Sequence, residues 1–315
     1  MRNRYIFADL FFTLACFFSK SVQVQSWNLT LEASGEQFFD HFTFITEDDP
    51  THGYVNFVDY PTALANGYIN TSESGDTYIG CDHERIATGR GRDSIRIETV
   101  RVFNSGLFIL YLSHMPFGCG SWPAFWTVGP NWPNSGEIDV IEGVNQQSYD
   151  VTTLHTGTHC DFANTTRNLT GFVISSNCDV YDTPAGCTVA SDNPNAYGGN
   201  FNSVGGGVYA VEWTSAGIKS WFWNEGHIPS DVLGSDPKPD TWSVPYAAFP
   251  FGTFCSPDSF QNQKVVFDLT FCGDWAGIVF SNDCPGKGTC NDYVKDNPEA
   301  FKESYWNIHW LKVFN

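Results

Sequence analysis

The sequence predicts an all-β protein of the sandwich or jelly-roll kind, and three observations carry that expectation. Strand-like runs recur along the chain, rich in β-branched and aromatic residues. Clusters of Gly, Pro, Asn and Asp separate them at intervals of roughly a dozen residues, the spacing of short strands joined by turns. Composition agrees: 27 Phe, 13 Tyr and 11 Trp stand beside only two Met, with 29 Gly and 16 Pro spread along 315 residues.

Taken in order, residues 94–102 show the alternation best. Ile95 and Ile97 point one way, and Ser94, Arg96 and Glu98 the other. Residues 106–112, 208–213, 217–223, 265–271 and 306–314 are similar. Only one helix is predicted, with Asn297 as cap, Pro298 in the first turn and residues 299–305 following. There is no internal repeat, linker or second core. Residues 26–315 are therefore expected to form a single domain.

The first 25 residues have the make-up of a signal peptide. Arg2 and Arg4 precede a mostly apolar stretch from Tyr5 to Phe18, although Asp9 interrupts it, and small and polar residues follow. No later run approaches the length of a membrane span, so a secreted protein without a membrane contact is expected. Asn28, Asn70, Asn164 and Asn168 each begin an N-x-S/T triplet and are candidate glycosylation sites. Nine cysteines lie beyond the leader, mostly among turn residues of the second half, which suggests disulfide-stapled loops. Cys178/Cys187 and Cys284/Cys290 are plausible short-loop pairs. Cys81, in a strand-like run far from the others, is the expected unpaired thiol. No CxxC pair suggests a metal site, and no cofactor is expected.

The formal charge is −19, and it falls to about −21 without the leader, whose own charge is +2. A polyanionic partner, nucleic acid or anionic membrane, would be repelled. A neutral polysaccharide would not. No G-x-S-x-G elbow, P-loop, G-x-G-x-x-G or HExxH is present.

The chemistry concentrates in Glu137-Ile138-Asp139-Val140-Ile141-Glu142. Its β-branched residues after the turn Asn134-Ser135-Gly136 predict a strand, on which Glu137 and Asp139 share a face. Glu142 has the wrong parity to join them. A single bulge near Val140-Ile141 restores it, so a catalytic reading requires a bulge. Three acids on one face repel one another, which a purely structural strand would avoid. A glycosidase gains from that repulsion, because it needs one carboxyl held protonated beside one ionised. Trp122, Trp126 and Trp132 lie just upstream in a Pro/Gly/Asn-rich stretch. Clustered Trp residues are more often core, but beside this strand they suit stacking against sugar rings. His155, on the next strand-like run (Val151–His155), would reach the acids if the two strands form a hairpin. Trp275 follows a strong strand and could close a subsite. Arg96 sits on the polar face of its strand, where simple solvation is the alternative.

At these residues the sequence resembles glycoside hydrolase family 16. Gly136-Glu137-Ile138-Asp139-Val140-Ile141-Glu142-Gly143 is similar to the family's active-site signature in its bulged, laminarinase form. Gly118-Cys119-Gly120-Ser121-Trp122-Pro123-Ala124, Leu154-His155-Thr156-Gly157 and Thr270-Phe271-Cys272-Gly273-Asp274-Trp275-Ala276-Gly277 resemble fungal-type laminarinases. The resemblance spans essentially the whole chain beyond the leader. It implies a concanavalin-like jelly roll of two curved antiparallel sheets with an open cleft on the concave face. It also implies retaining endo-hydrolysis of β-1,3- or mixed β-1,3/1,4-glucans by a monomer. Glu137 would be the nucleophile, Glu142 the acid/base and Asp139 the helper. Trp126, Trp132, His155, Trp275, Arg96 and Asn56 would contact sugar. Two other functions share the fold. A glucan-binding lectin would be expected to lose one Glu, and this chain keeps both. A glucan transglycosylase uses the same covalent intermediate, although the family's transglycosylases usually show the unbulged spacing.

Overall fold

A computed structural model describes residues 26–315; the signal peptide expected over residues 1–25 lies outside the described residues. Two antiparallel sheets of eight strands each face one another. The first sheet runs Ala247–Pro250, Gly217–Asn224, Gly207–Thr214, Gly106–His114, Trp306–Phe314, Thr77–Ile79 and Ile69–Thr71, with Leu29–Ala33 also paired to Trp306–Phe314. The second runs Phe172–Val173, Cys187–Ala190, Val151–His155, Glu137–Glu142, Ser121–Val128, Lys264–Phe271, Arg96–Thr99 and Phe42–Phe44.

Alternation decides what lies between the sheets. Phe125, Ile138, Leu154, Val189 and Phe267 of the second sheet are buried against Phe108, Leu110, Val211 and Leu311 of the first. A fully buried Leu, Ile or Phe contributes roughly 1.5–3 kcal/mol, so this layer supplies most of the driving force for folding.

The expected strands at 106–112, 208–213, 217–223, 265–271 and 306–314 all form, the first four extending by one or two residues. The run at 94–102 divides instead. Arg92–Ser94 pairs in parallel with Val55–Phe57, whereas Arg96–Thr99 joins the second sheet. The faces are as the alternation predicts: Ile95 and Ile97 are fully buried in the core.

The predicted helix at 299–305 is replaced by a single 3-10 turn, Pro298–Phe301. Asn297 is already committed to the preceding helix, Cys290–Asp296, where its side-chain amide donates to the Tyr293 carbonyl at 2.9 Å. Three further short helices form at Tyr60–Ala65, Gly198–Ser203 and Ile278–Asp283. Six or seven residues are too few for a 3.6-residue period to show in sequence.

Cys178–Cys187 is bonded as expected and Cys81 is free and buried. The expected Cys284/Cys290 pair is overturned: the bonds are Cys119–Cys284 and Cys272–Cys290, with Cys160–Cys255 besides. The register explains the exchange. Ser121 and Phe271 are direct partners, so Cys119 and Cys272 lie at neighbouring strand ends. Each ties one part of the helical segment 278–296 to the sheet, around a satellite core that also holds Cys81. Burial pushes the Cys81 thiol up to about 12, which leaves it unreactive.

Candidate active site

Glu137–Glu142 is a strand in the middle of the second sheet, between Ser121–Val128 and Val151–His155. Opposite Ser121–Val128, Asp139 pairs with Trp126 and Ile141 with Phe125, so Val140 is the extra residue of a bulge. Glu137 and Glu142 are consequently half-buried, while Val140 and Ile141 both join the core. The parity demanded by the sequence is met. Glycines frame the strand for steric reasons. Gly136 has φ +76° with Phe260 against it, and a Cβ on Gly143 would come within 2.6 Å of the Tyr197 ring.

The bulged strand brings the acids together with most of the predicted partners. Glu137, Asp139 and His155 each offer an atom within 4.8 Å of the others. His155 Nε2 lies 3.3 Å from Asp139 Oδ2, because Glu137–Glu142 and Val151–His155 pair with Glu137 opposite His155. The Trp132 indole N–H donates to Glu137 Oε2, and the Trp122 indole N–H donates to Glu142 Oε1 at 2.8 Å. Trp275, in a π-helical turn Gly273–Gly277, stands edge-on to Trp122 with centroids 5.6 Å apart. Arg96 lies over the Trp126 ring at 5.1 Å and pairs with Glu98 at 3.0 Å. Asn56 is the exception. Its amide donates to Asp93 Oδ1 at 2.6 Å in the small parallel sheet, and none of its hydrogen bonds reaches the acids.

Burial sets the protonation of this group. It raises Glu142 well above the ordinary carboxylate range, and the negative charge of Asp139 adds to the effect. The Trp122 N–H opposes it. Asp139 is raised by burial first, then by Glu137. A strand carrying three ionised acids is thereby avoided, and protons are held where a proton donor is useful. The Glu137, Asp139 and His155 atoms are also close enough to hold a cation, a possibility that a chelator can test.

Three supporting residues escaped the sequence reading. Asp150, fully buried, accepts the Glu142 backbone N–H at 3.3 Å and the Tyr246 hydroxyl at 3.1 Å, so it props the bulged end of the strand from beneath. Asn145 accepts the Gly120 N–H at 2.8 Å and donates to the Ala276 carbonyl at 3.0 Å. It thereby joins the Trp122 strand to the Trp275 turn. Asp268 lies on the acid-bearing face two strands from Glu142. Its visible signal was a lone acid inside the apolar strand Lys264–Phe271.

A sandwich with paired carboxylates on one open face is the architecture of a polysaccharide-degrading enzyme, and comparison with known proteins makes the class specific. Residues 42–314 match the XgeA-like, catalytic GH16 domain. The chain belongs to glycoside hydrolase family 16. It is 45% identical over 301 residues to a protein of Schizosaccharomyces pombe described as a probable glycosidase, covering 93% of this chain and 70% of that one. It is 41% identical over 302 residues to a probable endo-1,3(4)-beta-glucanase of Aspergillus clavatus. There it covers 93% of this chain but only 47% of the relative, so the chain spans about half the length of that curated protein.

Among solved structures, laminarinase 16A of Phanerochaete chrysosporium, with 6-O-glucosyl-laminaritriose in its donor and acceptor sites, superposes with a TM-score of 0.88. The identity is 38%, over 92% of this chain and 100% of that one. An elongating family 16 β-1,3-glucosyltransferase gives 0.87 at 41% identity, with the same coverage.

Proposed function

We propose that this protein is a retaining endo-hydrolase of β-1,3- or mixed β-1,3/1,4-glucans, with residues 26–315 as one catalytic domain. The observation that carries the reading is the bulge at Val140. It sets Glu142, raised in pKa, on the face of Glu137. Glu142 donates its proton to the glycosidic oxygen while Glu137 attacks the anomeric carbon, forming a glycosyl ester. Glu142 then takes a proton from water as the ester is hydrolysed. Asp139 holds a proton next to Glu137 and, with the Trp132 N–H, orients it. Once Glu137 is esterified its charge disappears, and one of the effects that raise Asp139 goes with it. Trp122, Trp126, Trp132 and Trp275 supply flat apolar rings for sugar, and His155 and Arg96 supply polar contacts.

Export from the cell fits the four disulfides and the leader. The four candidate glycosylation sites at Asn28, Asn70, Asn164 and Asn168 are all exposed. Neither a cofactor nor a metal is assigned a role.

The test is Glu137→Gln. Hydrolysis of laminarin is expected to fall by more than about 10⁴-fold with binding kept, as for loss of a nucleophile. Full activity in that variant would reject the assignment. NMR of the first products from the unaltered enzyme should show the β-anomer; an α-anomer would reject retention.

A second reading, transfer to sugar rather than water, is favoured by the likeness to the elongating glucosyltransferase. It predicts products longer than the starting material when laminaripentaose is supplied at high concentration.

A further inference from the structure

A groove opens on the outer side of the first sheet, turned away from the acid-bearing sheet. Its floor is Lys219 and Trp221, which alternation sends outward because their neighbour Ile218 lies in the core. The return connection at Trp242 and Val244 forms one wall, and the segment at Arg167 and Asn168 forms the other. The groove holds about 410 Å³, within the range of roughly 300–1,000 Å³ typical of sites that take a small ligand. Val244 is 42% exposed and Trp242 half-buried, so apolar surface stands open to water there. Both cations of the lining are already engaged. Lys219 pairs with Glu212 at 2.7 Å, and Arg167 lies over the rings of Phe162 and Phe249. Such walls suit a neutral occupant with both hydroxyls and C–H faces better than an ion.

The occupant is identified by what lines the groove. Asn168-Leu169-Thr170 is one of the four N-x-S/T triplets, and the fold fixes its place. Leu169 packs against the core. The Thr170 N–H donates to the Pro245 carbonyl and the Gly171 N–H to the Tyr246 carbonyl, both at 3.0 Å. This segment therefore runs beside Ala247–Pro250, the edge strand of the first sheet. Asn168 is exposed and borders the groove, whereas Asn28, Asn70 and Asn164 are exposed but do not. A chain of sugars tethered at Asn168 meets the groove at an effective concentration in the millimolar range, so even weak contacts would hold it.

We propose that this groove is the seat of an N-glycan carried by Asn168, whose first sugars lay their C–H faces against Trp242 and Val244. The inference rests on the reading above that the exposed triplets carry glycans, and gives one of those glycans a structural role. The seated glycan shields the apolar wall that the return connection leaves open. The other three glycans project into solvent.

The experiment uses the full-length protein secreted from a yeast host and treated, still folded, with an endoglycosidase that cuts between the first two N-acetylglucosamines. Mass spectrometry of the peptides reads release at each site. Release at Asn168 should be at least about tenfold slower than at Asn28, Asn70 and Asn164, because the seated chain must lift away before it is cut. After denaturation the four rates should converge. Val244→Asp, a change at an exposed position, should bring Asn168 within about threefold of the others in a protein that still folds. Equal rates on the folded protein, or a bare Asn168 when the other triplets are occupied, would overturn the seat and leave the glycoprotein reading intact. Protection that persists in Val244→Asp would also overturn it, by placing the cause outside the groove. So would a second laminaritetraose bound per molecule when Asn168→Gln is added to Glu137→Gln, which would make the groove a dock for substrate. No glycan at any of the four sites would overturn both readings.

Discussion

The outer faces of the two sheets are made by the same two-residue alternation and are finished in opposite ways. On the first sheet Leu107, Ile109, Val208, Ala210, Trp221, Trp223 and Phe314 point outward and are buried. The long connection between Gly217–Asn224 and Ala247–Pro250 folds back over them, adding Val232 to that cluster and packing Ile228 and Trp242 against it. Trp221 closes the arrangement by donating to the Ser243 carbonyl at 2.7 Å. On the second sheet the outward residues are acids, an arginine, a histidine and indoles, several of them without partners. One face is completed by the protein's own chain. The other is left for a ligand to complete.

The comparison can be broken most sharply at the acids. Glu142→Ala should lower kcat/KM on laminarin by about 10³-fold, and azide should partly restore turnover because it attacks the glycosyl ester without base assistance. Absence of any azide product would move the acid/base role elsewhere.

The closed face should respond in the opposite way. Trp221→Ala is expected to cost about 3–5 kcal/mol of stability in urea unfolding, while the folded fraction keeps its kcat/KM. A selective loss of kcat would mean that the covered face contributes to the reaction.

The buried acids of the second sheet also leave a mark on stability. Asp268 has a folded-state value near 7 against about 4 for an unfolded chain, and Asp150 is likewise raised by burial. Between those values the native state holds more protons than the unfolded one. The stabilisation is complete below about pH 4 and is lost as pH rises through the folded values. Melting temperatures from pH 4 to 8 should therefore show Asp150→Asn and Asp268→Asn gaining on the parent as pH rises. Parallel curves would show that these carboxyls titrate normally.

The smallest effect expected is none at all. EDTA should leave laminarin hydrolysis unchanged, although Glu137, Asp139 and His155 are spaced closely enough to hold an ion. A loss restored by a divalent cation would put a metal in the site.

Much of this was legible beforehand because it depends on period and parity. β-Branched residues announced the strands, and the spacing from Asp139 to Glu142 demanded a bulge that Val140 supplies. What escaped depends on register between distant segments. Cys284 and Cys290 are six residues apart, yet each bonds to a cysteine at the end of a different strand. Asp150 looks like an ordinary turn acid until the fold places it under Glu142. Asn297 looked like the start of a helix and closes another. Local pattern states which face a residue takes; it does not state what lies opposite.

The bulge has a consequence for heredity as well. Losing one codon from a strand normally turns every later side chain to the opposite face, and here that would drive an acid into the core. Val140 is the exception. Its deletion would straighten the strand and leave all three acids on the open side, at the cost of a cavity where a valine had been. Within Glu137–Glu142 the bulge is therefore the place where a lineage could drop a residue and keep its chemistry.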